Sequence, residues 1–313
     1  MRKDILNKIH DGHQGIAKCR ARIRDSVWWP GVSKDIEDLI KRCQVCLRET
    51  TNKHEPLMPS EYPERPWQKV AMDLFHLEKS WYLLLTDYYS RYPEIALLQS
   101  LKESEVIKHT KSIFARHGTP ETACSDNGSQ FGTLLTSAFT QFSKDWGFTH
   151  VTSSPKFPQS NGFVESAVKI IKRALKKSED PYKALQSYRA TPLSNGFSPA
   201  ELLMGRRIQT SVPIATSKLY PKIPNRNVLL EREECRRSQQ KQTYDRRHNT
   251  RELPELNIGD KVWVVDLRRT GVIKCKHKIP RSYIITDKRE IRRNRFHLVP
   301  LPNEDGSSTV YEA

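Results

Sequence analysis

The sequence lacks the features that would place the protein in a membrane or outside the cell. No run of about 18 apolar residues occurs, so no transmembrane helix is expected. The amino-terminal stretch MRKDILNKIHDGH has no apolar centre of the kind found in secretory signals. Only Cys43 and Cys46, of six cysteines, are close together, which argues against a disulfide framework. We therefore expect an intracellular protein with no membrane partner.

Acidic residues are too few to balance the basic ones. There are 36 Asp and Glu against 53 Lys and Arg, giving a net charge of +17. Residues 1–59 and 60–217 each carry +4, and residues 218–313 carry +9. Such an excess predicts a polyanionic partner, most often nucleic acid, although a merely basic protein would show the same total. The distribution favours a nearly balanced catalytic centre flanked by parts that hold DNA.

The first segment, residues 1–55, is expected to be a small helical domain. Helices are predicted over Arg2–Lys8, Ile16–Arg24 and Ser33–Cys43, the last with Ser33 as its N-cap. So few apolar positions make a thin core, and a domain of this size usually needs disulfides or a bound metal ion to stabilise it.

The rest of the chain completes a multidomain α/β protein. Within residues 60–212, strands in WQKVAMDLF and WYLLLTDYYSRYPEIALLQS precede an alternation of helices and strands, which predicts a mixed sheet covered by helices. Residues 213–256 are expected to be a linker with a charged helix. Several short strands in residues 257–302 predict a small β-barrel, followed by a tail over residues 303–313.

Two cysteines and two histidines in the first segment have the composition of a zinc site. Cys43 and Cys46 form a CxxC pair, and His10 and His13 lie upstream. Zinc favours four nitrogen or sulfur ligands in a tetrahedron, and an ion would close the thin core. The alternatives are a redox pair, or a chance CxxC with surface histidines.

Three carboxylates in the central segment are candidates for a second metal site. Asp73 lies inside an apolar strand, where an unpaired charge is costly. Asp126 follows a short strand, and Glu165 begins a helix after a turn. Converging, they could hold two Mg²⁺ or Mn²⁺ ions and support an in-line phosphoryl displacement. The alternative is that Asp126 only makes a turn and Glu165 only favours a helix start.

The helix that begins near Glu165 is otherwise cationic. Lys169 and Lys172 share the helical face of Glu165, and Arg173 broadens the basic stripe. These cations suit DNA phosphates placed beside a metal held by the glutamate. The alternative is a solvated basic face with a Glu165–Lys169 ion pair.

Taken together, these motifs resemble the integrases of gypsy-type LTR retrotransposons and, more distantly, retroviral integrases. The resemblance rests on HDGHQGIAKCRARIRDSVWWPGVSKDIEDLIKRCQVC, AMDLF, SDNGSQF, SSPKFPQSNGFVES, YRATPLSNGFSPAELLMGR, YDRRHNTRELPELNIGDKVWVVD and IPRSYIITDKREIRRNRFHL. It covers nearly all of the chain, and the motifs are specific in combination.

The resemblance implies a three-domain enzyme that works in the nucleus. The domains are a His-His-Cys-Cys zinc domain, an RNase H-like core with an Asp-Asp-Glu triad, and an SH3-like barrel. The implied chemistry is 3′-end processing of element DNA and strand transfer into target DNA by a homo-multimer. The implied residues are zinc ligands His10, His13, Cys43 and Cys46, catalytic Asp73, Asp126 and Glu165, and DNA-binding Gln159, Asn161, Lys169, Lys172 and Arg173.

Two spacings depart from the family pattern, and two other functions stay open. The gap between His10 and His13 is shorter than usual, and extra residues between Asp126 and Glu165 fall in FGTLLTSAF, in a loop before a helix. No protease or reverse transcriptase precedes the zinc segment, which fits either a piece of a polyprotein or a domesticated host gene. A domesticated copy could be a catalytically silent DNA- or chromatin-binding protein. An RNase H-type nuclease is the third alternative.

Overall fold

A computed structural model describes residues 1–132, 137–153, 162–287 and 289–302. The chain divides into two compact units, one formed by Met1–Pro56 with Asp245–Ala313 and the other by Leu57–Tyr244. The first and last segments of the sequence therefore belong to the same unit.

Four helices form the amino-terminal segment: α1 (Arg2–His10), α2 (Ile16–Arg24), α3 (Val32–Arg42) and α4 (Gln44–Glu49). They pack around a small apolar cluster of Ile9, Cys19, Ile23, Trp29 and Ile36. The thin core predicted from composition is therefore present. The six-residue helix α4 was not predicted, since it carries too little periodic signal.

The start of α3 differs from the prediction. Ser33 was expected to cap the helix, but the N-cap is Gly31, with φ at 86°, and Ser33 lies inside the first turn. A left-handed backbone favours glycine over any residue that has a Cβ. The sequence WPG therefore sets the entry to α3.

The central unit contains a five-stranded mixed sheet. Its strands are β1 (Lys69–Leu77), β2 (Ser80–Asp87), β3 (Pro93–Leu98), β4 (Thr122–Ser125) and β5 (Thr149–Thr152), in the order β3-β2-β1-β4-β5. The first three strands are antiparallel, whereas β4 pairs in parallel with β1 and β5. The predicted mixed sheet is confirmed, and its arrangement is RNase H-like.

Helices cover both faces of this sheet: α5 (Glu103–His117), α6 (Ala138–Trp146), α7 (Gly162–Lys177), α8 (Pro181–Ala190) and α9 (Pro199–Met204). One apolar cluster contains Val70 and Met72 of β1 with α5 and α6. The other contains Ala71 and Phe75 with α7 and α8. Odd-numbered residues of β1 therefore face α7.

The long helix α10 (Arg226–His248) follows a proline-rich stretch. Only Leu229 and Glu233 are buried along it, as expected for a charged helix. The boundary between the two compact units falls near its carboxyl end. Within the described ranges, no helix is both long enough and apolar enough to cross a membrane.

The carboxyl-terminal segment forms a second, antiparallel sheet. Its strands are β6 (Lys261–Val264), β7 (Arg269–Lys276), β8 (Ser282–Thr286), β9 (Glu290–Asn294) and β10 (Leu298–Pro300), in the order β10-β6-β7-β8-β9. The several short strands predicted in residues 257–302 are therefore present. The predicted SH3-like β-barrel is not confirmed, since among the described residues β9 and β10 are the two edges of an open sheet.

Residues 52–56 join the amino-terminal segment to this second sheet. The Asn52 side-chain amide donates to the carbonyls of Phe296, at 2.8 Å, and Leu298, at 3.0 Å. Arg281 donates to the carbonyl of Pro56 at 2.6 Å and pairs with Glu55 at 3.3 Å. These polar contacts explain why the two ends of the sequence form one unit.

Candidate metal centres and nucleic-acid interface

The four predicted zinc ligands meet at one point of the amino-terminal segment. His10 ends α1, His13 follows it in a turn, Cys43 lies between α3 and α4, and Cys46 lies in α4. Their ligand atoms all lie within 4.8 Å of one another. It is the one cluster of three or more metal-ligating side chains found among the described residues.

Four of the six ligand-to-ligand distances in this cluster fit a tetrahedral zinc site. Zn–N bonds of about 2.0 Å and Zn–S bonds of about 2.3 Å require ligand-to-ligand distances of roughly 3.3–3.8 Å. His13 Nδ1 lies 3.3 Å from His10 Nε2 and 3.4 Å from Cys43 Sγ. Cys46 Sγ lies 3.4 Å from His10 Nε2 and 3.8 Å from His13 Nδ1.

The short gap between the histidines is accommodated by their use of different ring nitrogens. His10 presents the distal Nε2, whereas His13 presents the proximal Nδ1. The His13 amide donates to the carbonyl of His10 at 2.8 Å, and His13 itself has φ at 48°. This tight left-handed turn points the nearer nitrogen back at the cluster.

The protonation states of two of these ligands bear on metal binding. Burial raises the pKa of Cys46 to about 11, and the adjacent Cys43 adds to the rise. Burial, and then His13, lowers the pKa of His10. Neutral imidazole is the form that binds metal, but the thiol must lose its proton to do so. Metal binding at this site should therefore release protons.

The three candidate carboxylates come from adjacent elements of the central unit. Asp73 lies on β1 with its side chain on the same face as Ala71 and Phe75, toward α7. Ala71 pairs with Cys124 in the parallel β1–β4 ladder, so the same register continued by two residues brings Asp126 beside Asp73. Glu165 lies in the first turn of α7.

The pKa of Asp73 is raised by its burial and by both of the other carboxylates. Burial raises its pKa to about 6, and the negative charges of Asp126 and Glu165 add to the rise. The Leu74 N–H, which donates to Asp73 at 2.8 Å, opposes it. Among the described residues, these three carboxylates do not form a compact metal-ligating cluster of the kind that the zinc ligands form. Such a group offers the hard oxygen ligands that Mg²⁺ prefers.

A buried hydrogen-bond network that sequence reasoning missed supports Asp126. Ser125 Oγ lies 2.8 Å from the carbonyl of Asp126 and 2.9 Å from His150 Nε2. Burial lowers the pKa of His150 to about 4, so its imidazole is neutral at physiological pH. The exposed Asp126 carboxylate also accepts from the Gly128 N–H at 2.9 Å. The available signal was a polar pair, Ser125 and His150, in neighbouring short strands.

The predicted DNA-contacting residues divide into two groups. Lys169, Lys172 and Arg173 are exposed on α7, whose opposite face packs on the sheet through Val164, Ala167, Ile171 and Leu175. Gln159 and Asn161 lie outside the described residues, as does part of FGTLLTSAF. The exposed cations form a surface able to hold phosphates next to Glu165.

Comparison with known proteins identifies two domains. Residues 1–52 match the integrase zinc binding domain, and residues 63–158 match the integrase core domain. The chain therefore carries an integrase zinc binding domain and an integrase core domain over these residues. The zinc prediction is confirmed by this match together with the tetrahedral cluster.

Similar curated proteins include retrotransposon polyproteins. The chain is 34% identical over 226 residues to the Caenorhabditis elegans uncharacterized protein K02A2.6, covering 68% of this chain and 18% of that protein. It is 26% identical over 188 residues to the Transposon Tf2-3 polyprotein of Schizosaccharomyces pombe, covering 56% and 14%. The chain thus spans less than a fifth of the length of these relatives.

A solved structure shares the fold along most of the chain. A chain in the structure of the simian T-cell lymphotropic virus intasome in complex with the PP2A regulatory subunit B56 gamma matches 96% of this chain and 100% of its own length. The TM-score is 0.59 at 14% sequence identity, so this match supports the fold alone.

Proposed function

We propose that this protein is a metal-dependent DNA integrase of the gypsy-type retrotransposon class. It would process the 3′ ends of element DNA and join them to target DNA. The observation that carries the proposal is the position of Asp73 on the face of β1 that packs on α7, which carries Glu165 in its first turn, in a unit that matches the integrase core domain. A costly grouping of acids is maintained where a divalent cation would neutralise it.

In this proposal Asp73, Asp126 and Glu165 hold magnesium or manganese. When bound, divalent ions at such a site activate the attacking oxygen and stabilise the leaving oxygen of a phosphodiester. The chain must supply all three groups as carboxylates, so Asp73 has to lose its proton. The apolar surroundings of β1 and the Leu74 N–H hold Asp73 in place, and the Ser125–His150 pair supports the turn at Asp126.

DNA is the proposed partner, both as element ends and as target. The exposed Lys169, Lys172 and Arg173 would bind backbone phosphates near Glu165, with Gln159 and Asn161 nearby in the sequence. The carboxyl-terminal segment, which was predicted to be an SH3-like barrel, would contribute further positive charge for binding DNA. We propose a homo-multimer acting in the nucleus, where the target DNA lies.

The test is a strand-transfer assay on blunt oligonucleotides that resemble element ends, with Mg²⁺ or Mn²⁺. Glu165→Gln should abolish product while folding and DNA binding persist. Glu179→Gln, a matched change at an exposed glutamate just past α7, should keep full activity. Product from Glu165→Gln would overturn the proposed site. Absence of product from the wild type under either metal, with DNA binding intact, would favour the alternative of a domesticated binding protein.

A further inference from the structure

Three arginines of the central unit converge on one buried carboxylate. Glu233 of α10 is 2% exposed and lies 3.1 Å from Arg91, 2.8 Å from Arg236 and 4.0 Å from Arg237. The other Glu233 oxygen accepts from the Asn195 side-chain amide at 3.0 Å. A single negative charge therefore faces three positive charges in a largely buried environment.

The three arginines also line a cleft of about 480 Å³, called here the arginine cleft. Leu57–Ser60, the start of α7 and the polar side of α10 complete its walls. Glu165 lines the same cleft, so with Glu233 included positive charges still outnumber negative ones by three to two. Excess guanidinium charge in a cleft attracts anions.

Two buried polar atoms in the cleft walls lack partners. Arg237 Nε and Thr86 Oγ1 are buried and have no hydrogen-bond partner in the part of the chain that the structure describes. The Arg237 Nε is too far from Glu233, at 4.0 Å, for a hydrogen bond. Buried donors without partners are costly, so Arg237 has hydrogen-bonding capacity that its protein neighbours do not use.

Packing fixes the arginines in position instead of leaving them as flexible surface charges. Arg91 lies over the Phe163 ring at 5.1 Å, and Arg237 lies over the Tyr62 ring at 5.1 Å while donating to the carbonyl of Ser60. Burial, and then the neighbouring Arg236, lowers the pKa of Arg91. Preorganised guanidinium groups bind tetrahedral oxyanions better than flexible ammonium groups do, because their donors form a planar fork.

We propose that the arginine cleft is a binding site for a phosphate-class oxyanion, held by Arg236 and Arg237 with Arg91 behind them. The anion could be free in solution or be one phosphate of a nucleic-acid backbone. Glu165 borders the cleft, but the arginines alone would hold the anion, so its binding can be measured without a metal and apart from the proposed integrase activity.

The test uses the full chain and compares Arg236→Gln with Lys241→Gln. Arg236 is the most exposed arginine of the three, at 31%, so its loss should disturb folding least. Lys241 is an exposed cation of the same helix and serves as the matched control. Binding of inorganic phosphate and of pyrophosphate is measured by calorimetry at constant ionic strength, and binding of a short DNA duplex over a salt series.

For a free anion, phosphate or pyrophosphate should bind the wild type and Lys241→Gln alike, and Arg236→Gln about tenfold more weakly. If the anion is a phosphate of the DNA backbone, duplex affinity should depend less steeply on salt in Arg236→Gln. The slope of log K against log salt concentration should fall in magnitude by about one, while Lys241→Gln should change it less. Arg236→Lys, which keeps the charge but loses the fork, should give an intermediate result and covers the case in which the glutamine variant misfolds. The proposal is wrong if Arg236 variants and Lys241→Gln affect all three ligands equally.

Discussion

Replacing Asp73 with asparagine is expected to stabilise the metal-free core. Burial, aided by Asp126 and Glu165, raises the pKa of Asp73 from 3.8 to about 6. The folded state thus favours the protonated acid. The stability contributed by that protonated form is complete below pH 3.8 and is lost as the pH rises through about 6.

The magnitude follows from the same pKa values. A rise from 3.8 to about 6 corresponds to about 3 kcal/mol at neutral pH. For a unit the size of Leu57–Tyr244, this is an increase of roughly 6–12 °C in the unfolding midpoint. The figure is an upper limit, since an amide at residue 73 also has to be solvated or paired.

The assay is urea unfolding of the full chain in magnesium-free buffer at pH 4.5 and pH 7.5. Hydrogen exchange of the β1 amides isolates the core from the zinc-containing unit. Asp73→Asn should be more stable than wild type at pH 7.5, and the gain should shrink at pH 4.5. Mg²⁺ should stabilise the wild type but not the variant.

Asp126→Asn is the control, because Asp126 belongs to the same candidate metal site as Asp73 but is exposed to solvent. Mg²⁺ should no longer stabilise Asp126→Asn against urea. Without Mg²⁺, its stability should differ from that of the wild type much less than the stability of Asp73→Asn does. If Asp73→Asn is less stable than wild type at pH 7.5 without Mg²⁺, the burial argument is wrong.

Two further predictions concern the zinc cluster and the buried glutamate. Cys43→Ser should lower bound zinc well below one ion per chain and unfold α1–α4, as followed by atomic absorption and circular dichroism, whereas Cys235→Ser, at an exposed thiol, should change neither. Unchanged zinc in Cys43→Ser would contradict the tetrahedral site. Glu233→Gln should cost about 3–5 kcal/mol in urea unfolding, because three guanidinium groups lose their buried counter-charge. Glu234→Gln, at an exposed neighbour, should cost almost nothing, and similar losses for both would argue against the buried cluster.

The sequence was most informative where periodicity and chemistry coincided. The bounds of α2 match the predicted Ile16–Arg24, because this helix has a clear apolar pattern between polar ends. The zinc ligands were identified by residue type, although their short spacing argued against the outcome. The choice of nitrogen in His13 depends on a left-handed turn that composition does not specify.

Other features could not be predicted from local sequence patterns. The entry to α3 depends on a glycine conformation, and β9 is too charged to look like a strand, although pairing with β8 makes it one. The Ser125–His150 pair and the convergence of Arg91 on Glu233 join residues 25 and 142 positions apart. Contacts of that range follow from the sheet order and from where α10 packs, which no window of sequence encodes.

The link from Asn52, Glu55 and Pro56 to the second sheet has a consequence for biosynthesis. The zinc segment leaves the ribosome before the core does, but the strands that complete its unit are made after the core. The core, which is contiguous in sequence, can finish folding in between. A chain truncated before β6 should therefore have a folded core and a metal-loaded but poorly anchored amino-terminal segment.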